Sequence, residues 1–466
     1  MSQRTLIKGG TLITMDPTLG TMPNADVLIE RGHISRVGPA IDDAEPTSVI
    51  DATNHFVLPG FVDTHRHTWQ SQLRGIASDW TLNQYITGVR KKLGPLYRPE
   101  DVYAGTLLGC AEALDAGVTT VVDWAHIMNS PEYADASVAA LRDFGGRAVF
   151  AHGTPTDKDL ARWYVDSDLP HPEDIRRVRT AYFSSDDQLV TLAMAARGPD
   201  RSTMEITRRD WKLARDLGIG ITAHVGVGVQ GQRSQGIRRL HEEGLLGSDT
   251  TYIHANTSTD DELALVRDSG GSLSIAPEVE MHMGLGYPPV DRAIGLGIDP
   301  SLSIDVVVAI SGDMFAVMRA ALASARARLN DEAMAAGQAV DRITITTADV
   351  LRFATIAGAR ACGLGDKIGA LRPGMEADVI LIRRDGLNLS PTNSPTGSVV
   401  LAARPNDVET VLVRGTVVKQ HGRLISIDPS TVMRLAEESR DRLLQRAGIS
   451  LGWEPTDALE FSRGFG

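Results

Sequence analysis

From Phe61 onward the chain alternates short apolar runs with helical patterns, and it does so eight times. The apolar runs fall at residues 60–63, 119–123, 147–151, 189–195, 220–224, 251–254, 272–276 and 302–305. Stretches with helical spacing lie between them, among them 99–115, 207–217, 259–268 and 313–329. Strands that are apolar on both faces belong to parallel sheets covered by helices. Eight such units in a row predict an α/β fold built as a (β/α)8 TIM barrel, closed by a helix over 347–361.

The two ends have a different texture. Residues 5–15, 25–30 and 34–37 are β-branched and broken by Gly9-Gly10 and Arg31-Gly32, and 56–58 run into the turn Pro59-Gly60. Strand texture returns at 377–382 and 408–418, punctuated by Gly374 and Gly415. Neither end has enough strands to bury a face alone. The expectation is one small β-sandwich domain assembled from residues 1–58 and 363–425, beside a barrel over 59–362. Residues 426–466 then form a C-terminal helix, amphipathic over 430–447, and a tail. A length of 466 residues suits a barrel with such a satellite.

Composition removes several function classes. The net charge is −12 and no Lys/Arg block occurs, which argues against non-specific nucleic-acid binding and leaves room for one local basic pocket. No apolar run is long enough to span a membrane, and the first residues lack the apolar core of a signal peptide. Cys110 and Cys362 are isolated, neither a disulfide framework nor a CxxC site, so a cytoplasmic location is expected. The expected partner is a small-molecule substrate.

The strongest chemical signal is Gly60-Phe61-Val62-Asp63-Thr64-His65-Arg66-His67. Residues i and i+2 of a strand share a face, so His65 and His67 point together. They do so at the C-terminal end of the first barrel strand, the end that carries barrel active sites. An HxH pair alone reads equally well as two polar residues at a strand end. Its company changes the reading: His224, His254 and Asp305 each close a later apolar run. Imidazoles and a carboxylate converging at one end suit a divalent metal, Zn²⁺ or Fe²⁺.

With these residues in view, the chain resembles the amidohydrolase superfamily. Gly60-Phe61-Val62-Asp63-Thr64-His65 is similar to that family's first strand, and Leu73-Arg74-Gly75 to its branch of cyclic-amidine deaminases and triazine hydrolases. Leu371-Arg372-Pro373-Gly374-Met375-Glu376-Ala377-Asp378-Val379 resembles the return strand of its β-domain. The resemblance implies that His65, His67, His224 and Asp305 bind the metal and that Asp305 also accepts the proton of the attacking water. It implies that His254 stands behind them, bonded to water or substrate, and that the protein is a homo-oligomer. Binuclear members carry a lysine on strand 4; residues 189–195 have none, so one metal is expected.

The chain departs from the branch at two places. The branch follows its strand-5 histidine with Glu at i+3, and Val227 stands there; it places His before the Pro after strand 7, and Ala276-Pro277 stands there. Both losses touch proton transfer. Glu278, Glu280 and His282, read as loop residues, are candidate replacements, with Glu278 and His282 assigned to the substrate. Trp69, Gln70 and Arg74 on the first barrel loop are candidates for stacking on and bonding to a planar substrate. His126 and His152 follow strand ends and are candidate pocket residues; His33, His55, His171, His241 and His421 have no such context.

The leading expectation is a mononuclear metal-dependent hydrolase that directs activated water at an electrophilic carbon of a small, nitrogen-containing cyclic compound. The alternatives are a lyase or decarboxylase on the same barrel, a dechlorinating or desulfurising hydrolase, and a barrel retained for binding alone.

Overall fold

The computed structural model describes residues 4–42, 45–164 and 166–450. The tail expected over 451–466 lies outside the described residues. Eight parallel strands form one sheet in chain order: Phe61–Arg66, Val118–Ala125, Arg147–His152, Val190–Ala196, Gly220–Val225, Thr250–His254, Ser272–Ile275 and Ser301–Leu302. They are barrel strands 1 to 8 below. Their side chains are almost all buried, as sheet covered by helices requires.

The expected eighth strand, 302–305, is shorter as a ladder. It closes the barrel by other bonds. Asp63 Oδ1 accepts from Ile304 N at 3.1 Å, and Thr64 Oγ1 donates to Leu302 O at 3.0 Å. Asp305 N donates to His65 O at 2.9 Å, and His67 N donates to Asp305 O at 2.8 Å. The seam between strands 1 and 8 is therefore stitched by three of the residues expected to bind metal.

The two chain ends share a nine-stranded mixed sheet. Its joint is the antiparallel pairing of His55–Pro59 with Val379–Arg383, in which Leu58 faces Ile380 and Val57 faces Leu381. The region 408–418 is a hairpin, Val408–Val413 and Thr416–Gln420, turning at Gly415. The stretch from Leu371 to Asp378 zips the two ends together: Leu371 N donates to Thr14 O, Gly374 N to Ile34 O and Ala377 N to Gly32 O. It also anchors the sheet to the barrel. Arg147, at the start of barrel strand 3, donates to Glu376 Oε2 at 2.6 Å and to Asp378 Oδ2 at 2.9 Å, all three buried. Burial opposes the charge on Arg147, but these two carboxylates outweigh it and raise its pKa. The chain crosses from sheet to barrel at Gly60, where a Cβ would sit 2.1 Å from Thr119 Oγ1; only glycine fits.

The helix Pro429–Ala447 begins at Asp428, whose carboxylate caps Ser430 N and Thr431 N, and ends at Gly448 with φ 65°. It packs on the helix Pro99–Asp115, where Ser439 Oγ donates to Asp101 Oδ1 at 2.8 Å. Among the described residues no helix is long and apolar enough to cross a membrane.

Candidate metal centre and active-site cavity

The cluster sits at the C-terminal ends of the barrel strands. His65 Nε2 lies 3.2 Å from His224 Nε2 and 3.4 Å from Asp305 Oδ1, and His67 Nε2 lies 3.3 Å from the same oxygen. Four donors at about 2.0–2.1 Å from a central ion, set tetrahedrally, stand roughly 3.3 Å from one another. These three separations are close to that edge, and the nitrogen and carboxylate donors suit Zn²⁺. His67 Nδ1 is 2.8 Å from Trp124 O; donating there places the ring's lone pair on Nε2, within the cluster.

Electrostatics prepare the donors. Burial holds His67 down to about 3, with His65 adding to the effect, and burial likewise lowers His65 and His224. The imidazoles are neutral at neutral pH, the form that binds metal. Burial pushes Asp305 up, but the hydrogen bond from His65 and the surrounding imidazoles outweigh it and hold the carboxyl at about 2.

His254, at the end of barrel strand 6, and Asp305, three residues past barrel strand 8, lie in the left-handed region, with φ 74° and 68°. That conformation is uncommon for residues with a Cβ and tends to cluster at functional sites. His254 Nε2 lies 3.8 Å from Asp305 Oδ2, and its Nδ1 donates to Glu280 Oε1 at 2.9 Å. Burial opposes charge on this ring, yet Glu280 and Asp305 together raise its pKa above the ordinary value. Residues 277–282 are a short helix, Pro277–His282, where a loop was expected. The helical turn explains how neighbouring candidates diverge. Glu280 is turned inward and fully buried, its Oε1 also accepting from Ala276 N at 2.8 Å. Glu278 turns away to accept from Ser311 Oγ at 3.1 Å, and His282 Nε2 lies 2.5 Å from Ser78 O on the exposed side.

The cavity above the cluster encloses about 750 Å³, its open mouth included. His67, His224, His254 and Asp305 line it, with Val227, Trp124 and His126. None of the five residues expected to touch substrate is among those lining it. Trp69 is fully buried in the turn Thr68–Leu73, edge-on to Tyr97, and donates from Nε1 to His126 Nδ1 at 3.0 Å. His126 in turn stacks on His67 with ring centroids 3.9 Å apart, so Trp69 steadies a ligand from behind. Gln70 is buried and donates to Tyr85 Oη at 2.7 Å. Arg74 lies outside the cavity, paired with Glu112 at 2.6 Å. Glu278 and His282 are held by Ser311 and Ser78, as above. Of the two histidines that follow strand ends, His126 lines the cavity and His152 is buried elsewhere against His171.

Several lining residues carried no signal legible in the sequence: Tyr85, Arg90, Thr154, Trp163, Tyr164 and Arg201. They come from segments that follow barrel strands 1, 3 and 4. No spacing rule singles out such residues; only the closed barrel brings them together.

Barrel, end sheet and strand-end donors together define a class. Residues 56–418 match the family model described as the amidohydrolase family, and the chain belongs to that family. It is an enzyme of the kind that hydrolyses carbon–nitrogen bonds other than peptide bonds. Among curated relatives, it is 27% identical to a 5'-deoxyadenosine deaminase of Methanosarcina mazei, over 95% of this chain and 98% of that one. It is 29% identical to a 5-methylthioadenosine/S-adenosylhomocysteine deaminase of Pyrococcus furiosus, over 92% and 98%. Among solved structures, an adenosine deaminase from Xanthomonas campestris with bound zinc superposes with a TM-score of 0.83 at 24% identity, covering 95% of this chain and 98% of that one. The atrazine chlorohydrolase of Arthrobacter aurescens complexed with zinc gives 0.82 at 21% identity, covering 94% and 100%.

Proposed function

We propose that the protein is a mononuclear, zinc-dependent hydrolase that removes an amino group or a comparable leaving group from a small nitrogen heterocycle. The observation that carries the reading is the set of 3.2, 3.3 and 3.4 Å separations among His65, His67, His224 and Asp305. Zinc bound there would supply an activated water and a Lewis acid. The chain's own residues do the rest. Asp305, ionised throughout the neutral range, accepts the water's proton. His254, its protonated form favoured by Glu280, hydrogen-bonds the substrate and protonates the departing group. Glu280 acts through His254, taking over from the short helix after barrel strand 7 the electrostatic duty that Val227 cannot perform.

The family relatives support a planar, aminated ring as substrate. The test is a screen of metal-loaded protein against 5'-deoxyadenosine, 5'-methylthioadenosine and aminated and chlorinated triazines, with products identified. Ammonia release that disappears in His65→Ala supports the reading, and halide release would point to the chlorohydrolase-like variant. Carbon dioxide from a carboxylated analogue, or no turnover by the zinc-loaded protein, would overturn it.

A further inference from the structure

We propose that the cavity grips an oxyanion of its substrate, a carboxylate or a phosphate, with Arg90 and Arg201, so that the compound hydrolysed carries a negatively charged tail. The proposal rests on the hydrolase reading above and names its substrate class.

Arg90 belongs to the π-helical segment Ile86–Leu93 and is 5% exposed. Its Nε and Nη2 both donate to Thr156 Oγ1, at 3.2 and 2.8 Å. No carboxylate among the described residues pairs with it, and its remaining N–H groups have no protein acceptor there. A buried guanidinium whose hydrogen-bond acceptor is a neutral hydroxyl is costly to hold. The fold nevertheless builds the arrangement with care. Thr156 N donates to Asn129 Oδ1 at 2.8 Å and Thr156 Oγ1 donates to His126 O, which fixes the hydroxyl. Gly94 makes room for Thr156: a Cβ there would lie 2.2 Å from its Cγ2.

Arg201 shares a platform with Arg90. The two guanidinium carbons stand 4.1 and 5.5 Å from the centroid of the Tyr164 ring. The polar partner of Arg201 is the neutral Gln230 amide. Arg197, on the same cavity wall, shows the contrast. It is buried too, but Asp210 Oδ2 lies 3.5 Å away, and Ser167 Oγ and Leu169 O accept from it. Among the described residues a carboxylate pairs with Arg197, and none pairs with buried Arg90 or half-buried Arg201. Asp305 is the one carboxylate among the described lining residues, and the cluster claims it. The cavity therefore has surplus positive charge, which guanidinium forks discharge best onto a carboxylate or phosphate.

The test uses benzoate, phenyl phosphate and the neutral benzamide as probes, titrated calorimetrically into zinc-loaded and chelator-stripped protein. Benzoate or phenyl phosphate should bind at least tenfold more tightly than benzamide, and the preference should survive zinc removal. The tighter of the two identifies the oxyanion. Arg90→Gln and Arg201→Gln should each weaken that binding tenfold or more. Arg90→Gln should also leave the melting temperature of the free protein unchanged or raised, because it removes an uncompensated buried charge. Equal binding of benzamide, anion binding that vanishes with the zinc, or unchanged affinity in Arg90→Gln would overturn the proposal. Zinc content, measured on the same samples, reports separately on the metal site. Anion binding without zinc uptake would sink the hydrolase reading and leave the anion site standing.

Discussion

Glu280 reaches His254 from the turn after barrel strand 7, its Oε1 2.9 Å from the ring's Nδ1. The carboxylate touches neither the donor cluster nor the cavity, so it is a positioning residue. Glu280→Gln keeps an acceptor of the same shape but removes the charge that favours the protonated ring. We expect kcat to fall about 10- to 100-fold, less than the roughly 10²–10⁴ of losing a general acid outright. The alkaline limb of the pH–rate profile should move to lower pH, because His254 then loses its proton earlier. A lower rate with the limb unmoved would show that Glu280 serves packing alone.

The cluster predicts close to one zinc per chain. The His65→Ala/His67→Ala double variant should bind none, by elemental analysis of dialysed protein, since only His224 and Asp305 of the four donors remain. Asp305→Asn keeps the shape but loses the base, and kcat should fall by about 10²–10⁴ after zinc is resupplied. Two tightly held ions, or a double variant with full activity, would refute the site.

The donor cluster was legible in the sequence because strand geometry is local and regular. An HxH pair shares a face wherever it occurs, and His224, His254 and Asp305 each end an apolar run at a point the barrel makes common. The joining of the ends was legible for a similar reason, since neither could bury a face alone. The cavity wall was not. Trp69 and Gln70 follow the HxH directly, yet a tight turn carries both beneath the site. Glu278 and Glu280 are two residues apart, and only the helical turn over 277–282 decides which faces inward. Arg90 depends on a π-helical winding and on Thr156, 66 positions away. Such contacts are set by tertiary packing, which periodicity does not encode.

The buried pair His152 and His171, Nδ1 to Nε2 at 3.0 Å, predicts a pH-dependent stability. Burial holds His152 at about 4, and burial with the neighbouring ring holds His171 well below the ordinary value. Between the unfolded value, about 6.5, and about 4, the unfolded chain binds protons that the folded chain refuses. Stability therefore falls as the pH falls through this window and is unaffected by the pair above it. His152 alone accounts for on the order of 3 kcal/mol by pH 4. His152→Gln should flatten this fall, read as urea midpoints between pH 4 and 7. Parallel curves for the two proteins would contradict it.

Val227 is 8% exposed and lines the cavity just past barrel strand 5, at the position where the resemblance to the deaminase branch implies a glutamate. If the chain were a deaminase with a damaged site, Val227→Glu would repair it. The cavity argues otherwise. On the proposed mechanism, proton transfer already has Asp305 and His254, the latter hydrogen-bonded by Glu280. A new carboxylate would be buried at a cost, or would find the uncompensated charge of Arg90 and Arg201 and occupy it from within. Either way the substrate's anionic tail loses its partner. We expect kcat/KM to drop at least about tenfold, mostly through KM, on whatever substrate the screen yields, and benzoate affinity to fall in parallel. Zinc content should hold, because Val227 is not among the donors. A gain in turnover on a neutral cyclic amidine, with anion affinity intact, would count against both the role given to Glu280 and the anionic substrate.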